Sequence, residues 1–257
     1  MTIRFGRICR LNLACLLAAS SLALSSGSAK AEENPRDPYE GFNRTMFVVN
    51  EALDKYAAKP VAQAYDATVP LPVKAGVGNF FGNAGELWSA GNSALQGKFG
   101  DAGMGVARLL LNSTVGIFGL FDVASELGMD RYDEDFGQTL AVWGVPDGGY
   151  LFLPALGPRT LRDAAGWAVD SQLDPVAHVD PVAVRNSLRG LRFVDVRTSL
   201  LPADRVIEDA ALDKYAYIRD AYLQRRAARA WHWPDRHAAG QSLRHRRDRA
   251  DRRPDTG

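Results

Sequence analysis

Apolar residues recur at helical spacing along most of the chain, whereas the alternation typical of strands is scarce. Between Phe42 and Tyr56 they recur at intervals of three and four residues, which predicts an amphipathic helix. Asp37-Pro38 is a typical helix start, and Lys59-Pro60 is expected to end this helix. Because Tyr150–Leu153 is the one short strand candidate, we expect an all-α fold built from many short amphipathic helices.

The rest of the chain continues this pattern, with Gly, Pro and capping residues between the helices. Glycines interrupt residues 73–97, where we expect two short helices whose backbones approach closely. The longest uninterrupted helix is expected over residues 203–229. The other expected helices lie at 61–66, 101–114, 122–127, 160–169, 186–192 and 195–200, with further helix starts at Asp174-Pro175 and Asp180-Pro181.

An almost uncharged stretch runs from Phe136 to Gly166. Its middle permits a tight reversal and positive φ, through Gly144, Pro146, Asp147, Gly148 and Gly149. Apolar and aromatic side chains flank this turn on both sides, and Pro154 and Pro158 prevent a long helix or a central strand. We therefore expect an apolar hairpin loop that is either buried in the fold or placed in lipid.

The composition, with 46% hydrophobic and 24% charged residues, is that of an ordinary globular domain. After residue 31 no apolar run reaches roughly 18 residues, so no conventional transmembrane helix is expected. Short apolar, Gly-rich runs are nevertheless frequent, at 73–81, 106–111, 115–121 and 143–156. A soluble core explains each run separately. Together they also suit a protein that lies in a bilayer interface.

The first 31 residues have the three parts of a secretory signal peptide. A basic start is followed by a short apolar run and a small-residue cleavage site, at Arg4, Arg7, Arg10, Leu11–Leu24 and Ala29-Lys30-Ala31. We therefore expect export and a mature chain that begins near Glu32. Cys15 has Asn12 where a lipidation signal needs an aliphatic residue, so we expect no lipid on Cys15. Cys9 and Cys15 are the only cysteines, which excludes disulfides and thiolate chemistry from the mature chain.

Charge is distributed unevenly along the chain. Residues 225–257 carry ten Arg against four Asp, whereas residues 32–224 are acidic. An acidic body argues against binding nucleic acid. Residues 230–257 lack apolar periodicity, so we expect a disordered, Arg-rich tail after a single helical domain at 32–229.

The sequence contains no recognisable catalytic or metal-binding motif. His178 is more simply explained as a structural histidine than as a catalytic base. Asp133-Glu134-Asp135 lacks the spacing of a calcium loop, so a solvated face explains it better than a cation site. Phe42-Asn43-Arg44 places two polar residues after a large apolar one. It is equally consistent with an ordinary amphipathic boundary and with a polar channel wall.

Several segments together resemble the MlaA/VacJ family of the Gram-negative outer membrane. They are DPYEGFNRTMF (37–47), GNFFGN (78–83), RLLLNSTVGIFGLFDVA (108–124), FGQTLAVWGVPDGGYLFLPALGPRTLRD (136–163) and YAYIRDAYLQRR (215–226). The resemblance covers about residues 35–228 and follows the order of the family throughout. The chain departs from it in lacking a credible lipidation site and in having Pro146-Asp147 within the expected glycine-rich turn.

The resemblance implies a ring of short amphipathic helices in the periplasmic leaflet of the outer membrane, with an amphipathic channel. Such a protein associates with a trimeric outer-membrane porin. It takes mislocalised phospholipid from the outer leaflet and passes it to a periplasmic lipid carrier of an MCE–ABC transport system. It needs no cofactor or metal, performs no enzymatic step and has no nucleic-acid partner.

The resemblance also implies roles for three groups of residues. Phe42, Asn43 and Arg44 match residues that hold the channel in its proper state. Gly144, Asp147, Gly148 and Gly149 are expected to form the gate. The last helix is expected to project from the ring and dock the carrier through Tyr215, Arg219 and Tyr222.

Two other functions remain open from the sequence. One is a soluble periplasmic lipid-binding chaperone, which would never embed in a membrane. The other is a periplasmic lipid hydrolase that uses His178, against which the absence of a nucleophile elbow already counts.

Overall fold

The computed structural model of the protein describes residues 34–229, so the expected signal peptide and Arg-rich tail lie outside the described residues. Strands β1 (Tyr150–Leu153) and β2 (Gly157–Thr160) form one antiparallel hairpin. The other described elements are helical, which confirms the all-α class. The α-helices are α1 (Glu40–Leu53), α2 (Lys59–Thr68), α3 (Leu71–Leu95), α4 (Phe99–Thr114), α5 (Val123–Glu126), α6 (Phe136–Val142), α7 (Leu161–Leu173), α8 (Val182–Ala210) and α9 (214–229).

Neighbouring elements close into a ring. α1 contacts β1, β1 pairs with β2, β2 contacts α7, and α7 packs against α6. From there α6 contacts α3, α3 packs on α8, and α8 packs on α2, which a π-helical turn joins back to α1. This closed circuit is the ring-like assembly that the resemblance implies.

Several helices are longer than expected. α3 spans 25 residues and α8 spans 29, where the sequence favoured pairs of short helices. Three glycines of α3, Gly76, Gly78 and Gly82, lie where other segments approach, and none of them ends the helix. A Cβ on Gly82 would come within 2.5 Å of the Arg131 guanidinium, and one on Gly78 within 3.5 Å of Asp195 on α8. The expected close approach is therefore present, but within a single helix.

The first helix also continues past its expected end at Lys59-Pro60. Asp54–Ala58 forms a π-helical turn, and α2 follows directly with Pro60 in its first turn. A π turn changes the hydrogen-bond register, so Pro60 falls at a helix start, where its missing N–H is tolerated. In contrast, the expected continuous helix over 203–229 is interrupted at residues 211–213, where Asp213 accepts a hydrogen bond from the Ala216 N–H.

Some of the predicted helix starts are confirmed and others are wrong. Asp122, Thr160 and Asp174 each accept a backbone N–H at the start of their helix, as expected of capping residues. Asp37 does not cap α1, which begins at Glu40 with no side-chain cap. The other expected caps also fail, because α4 begins before Asp101 and α8 has no side-chain cap.

The hairpin differs from its expected form. Tyr150 pairs with Thr160 and Leu153 with Gly157, so the chain reverses at residues 154–156. The expected turn at 144–149 instead connects the end of α6 to the start of β1. The prediction failed because the apolar residues before it, 140–142, belong to a helix and not to a pairing strand.

Most buried side chains in residues 34–229 are polar or charged, and they outnumber the buried apolar ones by more than two to one. Large apolar side chains are instead exposed around the ring, among them Val48 (65%), Leu71 (75%), Phe99 (74%) and Phe118 (77%). Scattered exposed apolar residues are normal in water-soluble proteins, but such an inverted distribution is not. Within the described range no helix combines the length and apolar character needed to cross a bilayer.

Candidate functional site: the junction of α1, the hairpin and α9

Asn43 lies on the face of α1 that meets the hairpin, and its side chain is fully buried. Its Nδ2 donates to the Asp37 carboxylate at 2.7 Å and to the Tyr150 carbonyl at 2.9 Å. Its Oδ1 accepts from the Phe152 N–H at 2.8 Å. The amide therefore satisfies backbone groups of β1 that a neighbouring strand would otherwise pair.

Asn50 makes a second, parallel connection. Its Nδ2 donates to the Leu153 carbonyl at 2.8 Å, and its Oδ1 accepts from the Ala155 N–H at 2.7 Å. Seven residues of helix rise about 10 Å, and three residues of strand also span about 10 Å. The two amides thus match the length of β1, and we call Asn43 and Asn50 the hairpin clamp.

Asp37 is the buried anion beneath this clamp, 2% exposed. In addition to the hydrogen bond from Asn43, the Asp37 carboxylate accepts hydrogen bonds from the Tyr215 hydroxyl and, at 3.2 Å, from Arg219 Nη1. Burial and the hydrogen bond to Asp37 raise the pKa of the Tyr215 phenol. The phenol therefore stays protonated and tied to Asp37 at neutral pH.

An aromatic cluster joins α1, the hairpin and α9. Phe47 packs edge-on against Phe152 and Tyr215, with ring centroids 5.4 and 5.8 Å apart. Tyr150 packs against Tyr215 at 6.3 Å and against Tyr222 at 6.2 Å. These edge-on arrangements are favourable for aromatic rings. The cluster fixes α9 to the ring through apolar contacts.

Farther along α9, Arg226 lies between two carboxylates, 2.5 Å from Asp135 Oδ2 and 2.5 Å from Asp163 Oδ1. The Tyr222 hydroxyl donates to the other oxygen of Asp163 at 2.5 Å. Burial alone would raise the pKa of Asp163, but the hydrogen bonds and charge of Arg226 outweigh it and lower that pKa. α9 is therefore tied to α6 and α7 by charge as well as to the hairpin by packing.

These contacts correct the predicted position of α9. Tyr215 is 2% and Arg219 8% exposed, and both point into the junction together with the half-buried Tyr222. The helix does not project from the ring, and these side chains are not available as surface contacts. Docking of a carrier on the outer face of α9 stays a prediction.

Arg44 behaves differently from its neighbour Asn43. Its guanidinium is exposed, 2.7 Å from both Glu40 and Asp213 and 4.6 Å above the Tyr215 ring. Phe42 is partly buried. The interpretation of 42–44 as a polar channel wall is wrong for Asn43, which faces the hairpin; any role of the three residues in transport stays a prediction.

The turn at 144–149 is fastened to the start of α7. Arg162 Nη2 lies 2.5 Å from the Asp147 carboxylate, and the Arg162 N–H donates to the Asp147 carbonyl at 3.1 Å. Gly144 and Gly148 adopt positive φ, as expected. A Cβ on Gly148 would come within 2.9 Å of Leu161, and one on Gly149 within 2.7 Å of Tyr39. The role of the turn as a gate stays a prediction.

A charged interior between α3, α4 and α6 was missed by the sequence analysis. Arg108, 1% exposed, lies 3.1 Å from Glu86 and 3.0 Å from Asp122. Lys98 and Glu134 form a second buried pair at 2.9 Å. The position of Glu134 also shows that residues 130–135 do not form a purely solvated face. A visible signal was the polar pair Arg108 and Asn112, four residues apart on one face of an apolar helix.

The structure places His178, considered above as a catalytic base, at the end of the 3-10 turn Pro175–His178. Its Nε2 lies 2.8 Å from the Gln172 carbonyl. Within residues 34–229 no group of His, Cys, Asp and Glu side chains could hold a metal ion. The ordered features of the junction are hydrogen bonds, aromatic contacts and ion pairs, which position its elements.

The sequence of this chain is similar to proteins of known families. A sequence model described as MlaA lipoprotein matches residues 35–229. The intermembrane phospholipid transport system lipoprotein MlaA of Escherichia coli is 34% identical over 223 residues, which cover 84% of this chain and 87% of that protein. The protein of the same name from Haemophilus influenzae is 31% identical, covering 82% of this chain and 87% of the relative.

A solved structure described as the structural basis for maintenance of bacterial outer membrane lipid asymmetry is also similar. It superimposes with a TM-score of 0.66 at 34% sequence identity and covers 76% of this chain and 98% of that one. The word lipoprotein in the names of the relatives runs against our expectation for Cys15, which lies outside the described residues. The match over residues 35–229, with two relatives above 30% identity over most of their length, shows that this chain belongs to the MlaA lipoprotein family.

Proposed function

We propose that this protein transports phospholipid between membranes and so maintains the lipid asymmetry of the outer membrane. It removes mislocalised phospholipid from the outer leaflet through an amphipathic channel and passes it to a periplasmic carrier. The observation that carries the proposal is the inverted distribution of side chains, in which most buried side chains are polar and many large apolar side chains are exposed. The names of the family members support the same function.

The physical requirement for such transport is a polar route through an apolar slab. A phospholipid head group that enters hydrocarbon loses its water, which is unfavourable unless polar groups replace that water. A ring with apolar side chains toward lipid and polar side chains inward meets this requirement. The transport needs no cofactor, metal or covalent step, so the proposed function is not enzymatic.

We place the protein in the periplasmic leaflet of the outer membrane, next to a trimeric porin and within reach of a carrier of an MCE–ABC transport system. The signal peptide at 1–31 would direct export, and 230–257 would remain a disordered tail. Mass spectrometry of the mature protein tests the processing. A mass beginning at Glu32 is expected, whereas a mass starting at Cys15 with acyl chains would show that the protein is lipidated as the names of its relatives say.

Within this function the hairpin clamp sets the position of the hairpin relative to α1. Deleting Phe42-Asn43 would remove one clamp residue and turn the rest of α1 by about 200°, because each residue turns a helix by about 100°. Polar and apolar faces of α1 would then exchange positions. We expect this deletion to disturb both the direction of transport and stability, because Phe47 and Asn50 would also turn away from the hairpin. A second variant, Asp147→Asn, tests the turn as a gate, because it weakens the ion pair between Asp147 and Arg162. It avoids placing a Cβ on Gly148 or Gly149, where there is no room for one.

The decisive experiment measures phospholipid in the outer leaflet of cells that lack their own family member. The wild-type protein should lower outer-leaflet phospholipid, and the Phe42-Asn43 deletion should raise it. Glu126→Gln, which alters an exposed residue outside the junction, is the matched control and should behave as wild type. If wild type inserts normally yet leaves the lipid at the level of empty vector, the proposed function is wrong. Recovery of the protein in the soluble periplasmic fraction would instead favour the lipid-binding chaperone.

A further inference from the structure

The segment that joins α4 to α5, residues 115–121, presents an apolar tip with no polar side chain. We call it the apolar loop. Most of its side chains are strongly exposed: Val115 (62%), Ile117 (54%), Phe118 (77%), Leu120 (42%) and Phe121 (59%). This is the densest run of exposed large apolar residues in the described range. A loop in water would be expected to carry polar side chains here.

Hydrogen bonds within the loop and the end of α4 satisfy most of its backbone N–H groups. Each of these N–H groups donates to a backbone carbonyl at 2.8 to 3.3 Å. The donor and acceptor residues are Gly116 and Leu111, Phe118 and Ser113, Gly119 and Asn112, Leu120 and Ile117, and Phe121 and Gly116. The Leu120 carbonyl in turn accepts from Asn79 Nδ2 at 3.1 Å. Internal satisfaction of this kind is the condition for placing backbone in hydrocarbon.

The loop holds this shape at the expense of backbone strain. Ile117 and Phe118 adopt φ of 51° and 55°, a conformation that is unusual for a bulky residue and most unfavourable for a β-branched one. Gly116 and Gly119 leave no room for a Cβ, which would lie 2.2 Å from the Phe121 carbonyl oxygen and 2.5 Å from Asn83. The apolar side chains are therefore displayed by a rigid, preformed scaffold.

We infer that the apolar loop inserts into the hydrocarbon of the bilayer and is the part of this chain that anchors it most deeply. The inference rests on the proposed membrane position and adds the element that reaches farthest into the lipid. Hydrocarbon fits the loop because it demands satisfied backbone and rewards exposed apolar area. A protein partner would favour hydrogen-bonding groups within the contact, and the tip itself has no polar side chain.

Polar groups begin directly below the tip. An open groove of about 590 Å³ adjoins the loop and combines Val115, Phe121 and Val123 with Asn79, Asp122, Ser125 and Glu126. The surface therefore changes from apolar at the tip to carboxylate-bearing at the base, as the bilayer changes from hydrocarbon to head groups. We expect the tip residues to lie in the hydrocarbon and the residues at the base to lie at the level of the head groups, and both depths can be measured.

The test uses single cysteines, because the only native cysteines are Cys9 and Cys15. The exported protein carrying Phe118→Cys or the matched Glu126→Cys is labelled with an environment-sensitive fluorophore. It is then reconstituted in phosphatidylethanolamine–phosphatidylglycerol vesicles that contain nitroxide lipids at known depths. Deep nitroxides should quench the label at 118 several-fold more than the label at 126. Quenching of position 118 by aqueous iodide, or its shielding only after a partner protein is added, would overturn the inference.

A pair of substitutions separates anchoring from folding. Ile117→Asn with Phe118→Asn removes apolar surface, while Asn tolerates positive φ better than Ile or Phe. The double variant should keep or raise the thermal midpoint in detergent and weaken vesicle binding by about tenfold or more. Leu212→Asn removes an apolar side chain that is fully exposed between α8 and α9 and should leave binding unchanged.

The outcomes also separate this inference from the proposed function. If the Ile117→Asn/Phe118→Asn double variant binds vesicles as wild type while wild type still lowers outer-leaflet phospholipid, only the inference about the loop falls. If wild type has no effect on outer-leaflet lipid but its position 118 is quenched deeply, the proposed function falls and the anchor remains.

Discussion

The ring has two interiors that differ in their apolar content. The aromatic cluster at α1, the hairpin and α9 is built as in a water-soluble protein, with Phe47, Phe152 and Tyr215 packed together. The interior between α3, α4 and α6 is charged instead, with Arg108 and Lys98 paired to buried carboxylates. The difference shows that two different forces hold the ring together.

The surroundings of each interior explain its composition. The outer face of α9 is mixed, with Asp220, Gln224 and Arg225 exposed beside Tyr217. Apolar burial contributes to packing on its inner face. The outer faces of α3 and α4 are apolar, as Leu87, Leu95, Phe99, Val106 and Leu110 are exposed. In lipid, apolar burial provides no net drive, and small residues and polar contacts hold helices together. The approach of α3 and α4 at Ala90 and Gly105, where an added Cβ would lie 3.1 Å from that of Ala90, has this form.

The largest effect is expected from breaking the charged interior. Arg108→Ala leaves Asp122 without its cation and leaves Glu86 with only the longer contact to Arg131, at 3.6 Å. Removing one partner from a buried ion pair destabilises by about 3–5 kcal/mol. Denaturant unfolding in mild detergent measures the loss. Arg192→Ala, which breaks the more exposed pair with Asp174, is the control and should lose less than about 1 kcal/mol.

A double variant sharpens this prediction. Arg108→Met with Glu86→Leu removes the pair and fills the space with apolar atoms, so it should be less destabilised than Arg108→Ala alone. Equal losses in the single and double variants would contradict the assignment to unpaired charge, because the double variant removes Glu86 together with Arg108.

The second-largest effect is expected at the hairpin clamp. Asn43→Ala removes three hydrogen bonds and leaves the Phe152 N–H and the Asp37 carboxylate short of partners, a loss of about 2–3 kcal/mol. Asn50→Ala removes two hydrogen bonds at a less buried position and should lose about 1 kcal/mol. Both are measured by denaturant unfolding in detergent. A larger loss for Asn50 than for Asn43 would show that the turn, and not the edge of β1, holds the hairpin in place.

The sequence predicted the features that depend on residues close together along the chain and missed those that depend on residues far apart. Helical periodicity and capping residues such as Asp122 and Thr160 act over a few residues, and they gave the all-α class and several helix starts. Glycines in α3 were misinterpreted as helix ends, because their effect depends on which distant element approaches them. The partners of Asn43 lie 107 and 109 residues away on β1. A single sequence contains no local signal for such a pairing.

The site residues show the same limit. Tyr215, Arg219 and Tyr222 were expected at a docking surface because aromatic and Arg side chains are frequent in interfaces. The interface they form is internal, between α9 and the ring. Asn50, seven residues after Asn43 on the predicted helix, was a missed residue whose spacing could have revealed it, and the spacing of Arg108 and Asn112 was a signal of the same kind.

The pH dependence of stability distinguishes the charged contacts of α9 from its aromatic ones. Because Arg226 lowers the pKa of Asp163, the ionised carboxylate stabilises the fold above about pH 4, the ordinary Asp range. This contribution is lost as the pH falls through the lowered pKa. The stability difference between wild type and Arg226→Gln should therefore shrink on acidification from pH 6 to pH 2. Tyr222→Phe keeps the aromatic packing and removes only the hydrogen bond to Asp163, so it should show a weaker pH dependence. Identical curves for both variants would contradict the assignment to Arg226.

The smallest effect is expected at Arg44, which shares the ring of Tyr215 with Arg219. The two guanidiniums lie 4.6 and 5.8 Å from the ring centroid, but the side chain of Arg44 is 44% exposed and that of Arg219 only 10%. Exposed ion pairs contribute about 0–1 kcal/mol and weaken with salt, so Arg44→Gln should lose less than about 1 kcal/mol, and less again at 1 M salt. Arg219→Gln takes a cation from buried Asp37 and should lose more at both salt concentrations. Equal losses at the two positions would mean that contact with the ring, and not burial of charge, determines stability at this end of the protein.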